Sequence, residues 1–128
     1  MMLFSKSERV LLISPHIFSI PIITAQMQVK HVDMLEKVFP ALYETVPHII
    51  VFNYDSFKEA APRFLARIRG NRFYDKTKIY GYKTKPEPRT DEYLISLGIN
   101  FLIYKTEIAE KKEPLQLVNS LRFGDAVN

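Results

Sequence analysis

One of the apolar segments of this chain ends at a polar side chain. The type of that side chain limits the chemistry that this end of the segment can perform. In the segment Pro47 to Asn53, a proline and a histidine lead into four apolar residues, and Asn53 follows them. Such a run is typical of a buried strand, and ligands lie at the carboxyl ends of strands in open α/β sheets. An aspartate at this end could accept a phosphoryl group. Asparagine is a poor nucleophile, and it carries no charge to hold magnesium.

Asp55 is the alternative reacting group in this region. It lies two residues beyond Asn53, so in an extended chain its side chain points to the same side. A bulge or a shift in register would make it the acceptor. We favour the simpler interpretation, in which Asp55 caps a turn in a loop.

The composition predicts one soluble globular domain. The chain has 128 residues, of which 47% are hydrophobic and 25% charged, and it has no cysteine, which excludes disulfides and thiolate metal sites. No apolar stretch approaches the roughly 20 residues of a membrane helix, and the first residues lack a secretory signal. We therefore expect a cytoplasmic location. The core should span about residues 8 to 123, and residues 124 to 128 should form a frayed tail.

The charge is mildly basic, at +4. Four arginines gather in one region, at Arg63, Arg67, Arg69 and Arg72. We interpret them as a solvated helix face rather than a phosphate-binding patch. A nucleic-acid surface usually has a stronger and more patterned excess, so this chain alone is not expected to bind nucleic acid.

Short apolar runs and segments of helical periodicity alternate along the chain. The runs that predict strands are Val10–Ile13, Ile49–Phe52, Ile79–Tyr82 and Phe101–Tyr104, with the less apolar Met27–Val32 as an edge strand. The segments that predict helices are Leu35–Leu42, Phe64–Ile68, Thr90–Leu97 and Leu115–Phe123. Alternation of this kind predicts an α/β fold with a parallel sheet and helices on both faces.

Three residues mark predicted helix ends. Pro62 falls in the first turn of its helix, where a proline is tolerated. Thr90 is the predicted N-cap of the next helix, and Gly98 is its predicted stop. Two further prolines, Pro21 and Pro40, interrupt stretches that are otherwise helical.

The order and spacing of these segments resemble the receiver domain of two-component response regulators over about Glu8 to Phe123. The segments that carry the resemblance are Pro47–Asn53, Leu65–Asn71 with Lys78–Tyr80, and Gly98–Lys105. The resemblance implies five strands and five helices in a doubly wound, flavodoxin-like α/β fold. It also implies the strand order 2-1-3-4-5.

The resemblance implies a phosphoacceptor pocket whose chemistry is missing. The magnesium-binding acidic pair of the family falls on Ser14 and Pro15, and the acceptor falls on Asn53. The hydroxyl position falls on Lys83, with Thr84 next to it. The lysine position is matched by Lys105, and the aromatic switch position falls on Leu102. The chain thus resembles a degenerate receiver, or pseudo-receiver.

Two hypotheses concern the lysines of this pocket. Lys83 could replace the missing cation electrostatically beside Asn53, or it could be a plainly exposed lysine. Lys105 could donate to Asn53 and nearby carbonyls, for which we expect a structural role rather than ligand binding. An anion or small molecule bound at the strand ends by Lys83 and Lys105 is a further alternative.

The function predicted on this basis is protein–protein interaction within a two-component or phosphorelay pathway, without phosphorylation. An interaction surface, for a partner or for a homodimer, is predicted around Tyr80, Leu102 and Tyr104. A working receiver phosphorylated on Asp55 is the first alternative. We expect no enzymatic activity, no cofactor and no bound metal, since the three histidines form no metal-binding spacing.

Overall fold

Five parallel strands form the centre of the protein. The computed structural model describes residues 8–18, 20 and 23–105. The strands are β1 (Arg9–Ile13), β2 (Gln28–Val32), β3 (Ile49–Asn53), β4 (Lys78–Lys83) and β5 (Phe101–Tyr104). They form one sheet in the order β2-β1-β3-β4-β5, in which every neighbouring pair is parallel. The predicted sheet, its strand order and the edge position of β2 are confirmed.

Three α-helices connect the strands in the described part of the chain. They are α1 (Val38–Thr45), α2 (Ala61–Arg69) and α3 (Pro88–Ser96). A 3₁₀ turn leads into α1 and another leads into α2. Pro62 is in the first turn of α2, as predicted, where its missing N–H is not needed. No helix in this part of the chain is long and apolar enough to span a membrane.

Of the two predicted ends of α3, the start is wrong and the stop is confirmed. Thr90 is not the N-cap, because the helix begins at Pro88 and Glu87 is at the N-cap position, without a capping hydrogen bond from its side chain. A proline at the first helical position already has the φ angle that a helix requires, so the helix starts earlier than the threonine suggests. At the other end, Gly98 has a φ of 121°, a conformation that favours glycine, and it ends the helix as predicted.

The segment between β1 and β2 is not helical in its described residues, 14–18, 20 and 23–27. The family resemblance implies a helix there, but Pro21 cannot donate the backbone hydrogen bond that a helix interior requires. The predicted final helix over Leu115–Phe123 and the tail over 124–128 lie outside the described residues.

Two apolar cores lie on opposite faces of the sheet, because side chains alternate along each strand. The helix-side core joins the sheet to all three helices and includes Leu11, Ile13, Leu42, Ile50, Phe52, Leu65, Ile68, Ile79 and Leu94. The far-side core includes Val10, Leu12, Ile20, Ile49 and Val51, with Phe18, Tyr80, Tyr82 and Ile103 packed against it. This alternation also decides to which face the polar residues at the strand ends belong.

Candidate functional site

Asn53 lies at the end of β3 in a closed hydrogen-bonded pair with Ser14, which follows β1. The Asn53 side chain is 5% exposed and Ser14 is fully buried. Asn53 Nδ2 donates to Ser14 Oγ at 3.1 Å, and Asn53 Oδ1 accepts from the backbone N–H of Ser56 at 3.1 Å. Both polar atoms of the amide therefore have partners within the protein. Asn53, on which the resemblance puts the acceptor position of the family, makes structural hydrogen bonds there.

The residues around this pair do not fit a magnesium ion. Magnesium prefers carboxylate oxygens together with water. At the end of β1 the chain offers a hydroxyl from Ser14 and a proline, Pro15, but no carboxylate. Within the described ranges, no three histidine, aspartate or glutamate side chains come together in a way that could hold a metal.

Asp55 is bonded to the residue that follows β4. Its Oδ2 accepts from the backbone N–H of Thr84 at 2.7 Å and from the Thr84 hydroxyl. Asn53 pairs with Tyr82 across the sheet, so alternation brings Thr84 to the side of Asn53 and Asp55. The contact ties the loop after β3 to the loop after β4. It also places a carboxylate beside a hydroxyl, two residues further along than the predicted acceptor.

Lys83 is the most deeply buried charged residue in the described part of the chain, with 0% exposure. The alternative that it is a plainly exposed lysine is wrong. Its ammonium donates to Asp91 Oδ1 at 2.6 Å and to Glu87 Oε1 at 2.8 Å. No hydrogen bond joins it to Asn53 among the residues described. Because side chains alternate along a strand, Lys83 lies on the helix side of the sheet, like Ile79. Asn53 lies on the far side, like Val51.

Asp91 links the lysine to the last described strand. It is 8% exposed, and its Oδ2 accepts from the Tyr104 hydroxyl at 2.7 Å and from the backbone N–H of Glu87 at 3.1 Å. We call Lys83, Glu87, Asp91 and Tyr104 the Lys83 cluster. It connects the end of β4, the first turns of α3 and the end of β5. Glu87 and Asp91 lie four and eight residues after Lys83, but Lys83 is in a strand, so this spacing is not a helical signal that could have predicted the cluster.

The protonation states of the Lys83 cluster follow from its contacts. Burial alone would lower the pKa of Lys83, but hydrogen bonds and charge from Asp91 and Glu87 outweigh this and raise that pKa above its ordinary value. Burial alone would raise the pKa of Asp91, but hydrogen bonds from Lys83, Tyr104 and Glu87 outweigh burial and lower that pKa. The lysine and Asp91 are therefore both charged at neutral pH, and the lysine charge is already neutralised within the protein. This leaves little attraction for an external anion at Lys83.

The remaining predicted site residues are not gathered at one place. Lys105 is exposed, and no hydrogen bond joins it to Asn53 among the described residues, so that predicted contact is wrong. Leu102 packs against the helix-side core, on the same face as Tyr104. Tyr80 packs on the far side and stacks on Phe101, with 4.9 Å between ring centroids.

The four clustered arginines have different roles. Arg69 donates to the carbonyl oxygens of Gly98, Tyr74 and Thr77 and to Asn100 Oδ1, so it is a structural clamp near the start of β5. Arg63, Arg67 and Arg72 are exposed, as a solvated face requires.

Comparison with solved structures agrees with this architecture. The chain is similar to the chemotaxis protein CheY4 of Vibrio cholerae, with 17% identity over 88% of this chain and 98% of that one and a TM-score of 0.65. It is also similar to the signal receiver domain of a DNA-binding response regulator from Colwellia psychrerythraea. That likeness has 10% identity over 83% and 94% of the two chains and a TM-score of 0.64.

The chain has the receiver fold. At identities of 10% and 17% the likeness establishes the fold alone. Any statement about the chemistry of this chain depends on the residues at its site. No family model and no curated protein sequence matches the chain.

Proposed function

We propose that this protein is a receiver-like signalling module that acts through protein–protein interaction and without phosphorylation. The observation that carries the proposal is the Asn53–Ser14 pair. At the end of β3, where the resemblance puts the phosphoacceptor of the family, a buried amide has both polar atoms hydrogen bonded within the protein. A phosphoryl group would find neither a nucleophile nor a cation site there.

A module that acts without phosphorylation needs an interaction surface that stays in one arrangement, and the Lys83 cluster supports this part of the proposal. It ties α3 to β4 and β5 through three charge-assisted hydrogen bonds to buried or half-buried side chains. α3 also carries two exposed apolar side chains, Tyr93 and Ile95. We propose that these side chains, rather than the predicted set of Tyr80, Leu102 and Tyr104, meet a protein partner or a second copy of the chain in the cytoplasm.

The experiment that tests this function is intact-mass measurement after incubation with magnesium and acetyl phosphate. We expect no phosphoryl adduct under conditions in which an ordinary receiver is labelled. A stoichiometric adduct would overturn the proposal.

Phosphorylation of Asp55 is the second candidate function, and the Asp55–Thr84 contact favours it. A carboxylate oxygen of Asp55 would attack the phosphorus of acetyl phosphate, acetate would leave, and the Thr84 hydroxyl would lie beside the acyl phosphate formed. Asp55 Oδ1 has no hydrogen-bond partner among the described residues. In the same mass measurement, an adduct that disappears in Asp55→Asn and persists in Asn53→Ala would establish this second function.

A further inference from the structure

A groove runs between α1 and α2 on the surface of the helix layer. It consists of two adjoining cavities of about 440 and 580 Å³, which share Leu35, Ala60 and Arg63 in their linings. One wall is α1 with the 3₁₀ turn before it, and the other is α2 with its own preceding turn. The second cavity also includes Ser56, whose backbone N–H donates to Asn53 Oδ1, so this end of the groove adjoins the loop after β3.

The floor of the groove is aromatic. Phe39 and Phe64 lie with ring centroids 6.1 Å apart, and Phe64 stacks on the fully buried Phe52 at 4.8 Å. Phe57 contacts Phe52 from the second cavity, at 6.1 Å between centroids. Leu35, at the mouth, is 37% exposed. This floor is continuous with the core, so a side chain that enters the groove meets a surface already in place.

Two arginines of α2 stand over this floor, one helical turn apart. The Arg67 guanidinium lies 3.8 Å from the centroid of the Phe39 ring, and Arg63 lines both cavities. Both side chains are exposed, and neither has a carboxylate within ion-pairing distance among the described residues. The guanidinium groups of Arg63 and Arg67 are therefore available to an anion from outside the chain. Lys58 adds a third cation to the lining, and Glu36 and Glu59 add two carboxylates.

We propose that this groove binds an acidic peptide segment of a partner protein. One large apolar side chain of the peptide lies on Leu35 and Phe57, and neighbouring carboxylates pair with Arg63 and with Arg67, whose guanidinium already stacks on the Phe39 ring. An apolar floor beside unpaired guanidinium groups is complementary to such a segment in both shape and charge. The inference rests on the proposed function only in treating the chain as a protein-binding module, and it holds whether or not Asp55 is phosphorylated.

The experiment uses the full chain labelled with nitrogen-15 and three synthetic 12-residue peptides. The first carries a central phenylalanine among glutamates, the second has alanine for the phenylalanine, and the third has lysines for the glutamates. We expect the first peptide to bind with a Kd tighter than about 1 mM, with amide shifts confined to α1, α2 and their leading turns. The second and third peptides should each bind at least about tenfold more weakly.

The matched variants separate a local contact from a general charge effect. Arg63→Glu with Arg67→Glu changes the charge by the same amount as Arg72→Glu with Lys76→Glu, which alters exposed residues outside the groove. We expect the first double variant to lose about tenfold or more in affinity and the second less than about threefold. If the glutamate pair disturbs folding, Arg63→Gln with Arg67→Gln should show a smaller loss of the same sign.

Several results would overturn the inference. Absence of binding by the first peptide, equal losses in the two double variants, or amide shifts that fall outside the groove would each do so. Preference for a single-stranded oligonucleotide over the peptide would identify the arginines as a nucleic-acid contact instead. Each of these failures is distinguishable from failure of the proposed function, which the phosphodonor mass measurement reports separately.

Discussion

Replacement of Lys83 by methionine is the perturbation that tests the Lys83 cluster most directly. Methionine keeps an unbranched side chain of comparable length in a position with 0% exposure, but it removes the ammonium. Asp91 then remains buried with the Tyr104 hydroxyl and the Glu87 backbone N–H as its only donors in this cluster. The loss of stability on substitution is therefore the free-energy cost of keeping the Asp91 carboxylate buried without its cation.

The expected magnitude follows from the surroundings of the two carboxylates. Removal of one partner of a buried ion pair costs about 3–5 kcal/mol. Here Asp91 keeps two hydrogen bonds, and the Glu87 side chain is 49% exposed, so that water can solvate it once the lysine is gone. We therefore expect the free energy of unfolding to fall by about 3 kcal/mol, at the lower end of that range.

Urea unfolding at pH 7 measures this loss, and a double-mutant cycle isolates the pair. Lys83→Met combined with Asp91→Leu removes both buried charges, and it should restore stability to within about 1 kcal/mol of the wild type. A loss below about 0.5 kcal/mol for Lys83→Met alone would refute the reasoning, since a change that small is ordinary for a surface residue.

The pH dependence of the same comparison has a definite sign. The folded-state pKa of Asp91 is lowered, so its contribution is present above the ordinary value of 3.8 and is lost as the pH falls through the folded value. The pKa of Lys83 is raised, so its contribution is present below 10.5 and is lost as the pH rises through the folded value. In Lys83→Met, burial without the lysine should raise the pKa of Asp91. The stability difference between the two proteins should therefore shrink as the pH falls, first through the raised pKa of Asp91 in the variant and then below 3.8, where the wild type loses its own contribution.

Two other substitutions have clear expected outcomes. Asn53→Asp places a carboxylate at a position 5% exposed and removes the donor to Ser14, so urea unfolding should show a loss of about 1–3 kcal/mol at pH 7 that diminishes as the pH falls and the carboxyl is protonated. Full wild-type stability at pH 7 would contradict the closed pair. Gly98→Ala puts a Cβ 2.5 Å from Arg69 Cγ at a φ of 121°, and thermal unfolding should show a loss of about 1–3 kcal/mol. An unchanged unfolding temperature would contradict it.

The sheet could be predicted from the sequence because its signal is local. Strands buried on both faces read as short apolar runs, and β1 and β3 have that pattern without interruption. The start of α3 was misplaced because Pro88 competes with Thr90, and the propensities of single residues do not decide between them. Hydrophobic periodicity alone also does not explain why the described residues between β1 and β2 are not helical.

The candidate site was harder to predict because it depends on which face of the sheet each residue occupies. Asn53 was recognised from the apolar run before it, and its contact with Ser14 follows from neighbouring strand ends. Lys83 was assigned to the same pocket, but a shift of one residue along β4 moves a side chain to the opposite face. Asp91 carried no signal as a partner until the fold brought α3 over the end of β4.

The measurement that tests the central claim most directly is the amide spectrum of the nitrogen-15-labelled chain with and without magnesium and beryllofluoride, an analogue of the phosphoryl group. The claim is that the receiver fold is held in one state, independent of phosphorylation, by the Asn53–Ser14 pair and the Lys83 cluster. We expect unchanged amide positions at the ends of β3 and β4, in α3 and in β5. Saturable shifts that begin near Asp55 and extend to α3 and β5 would contradict it and establish a phosphorylation-driven switch.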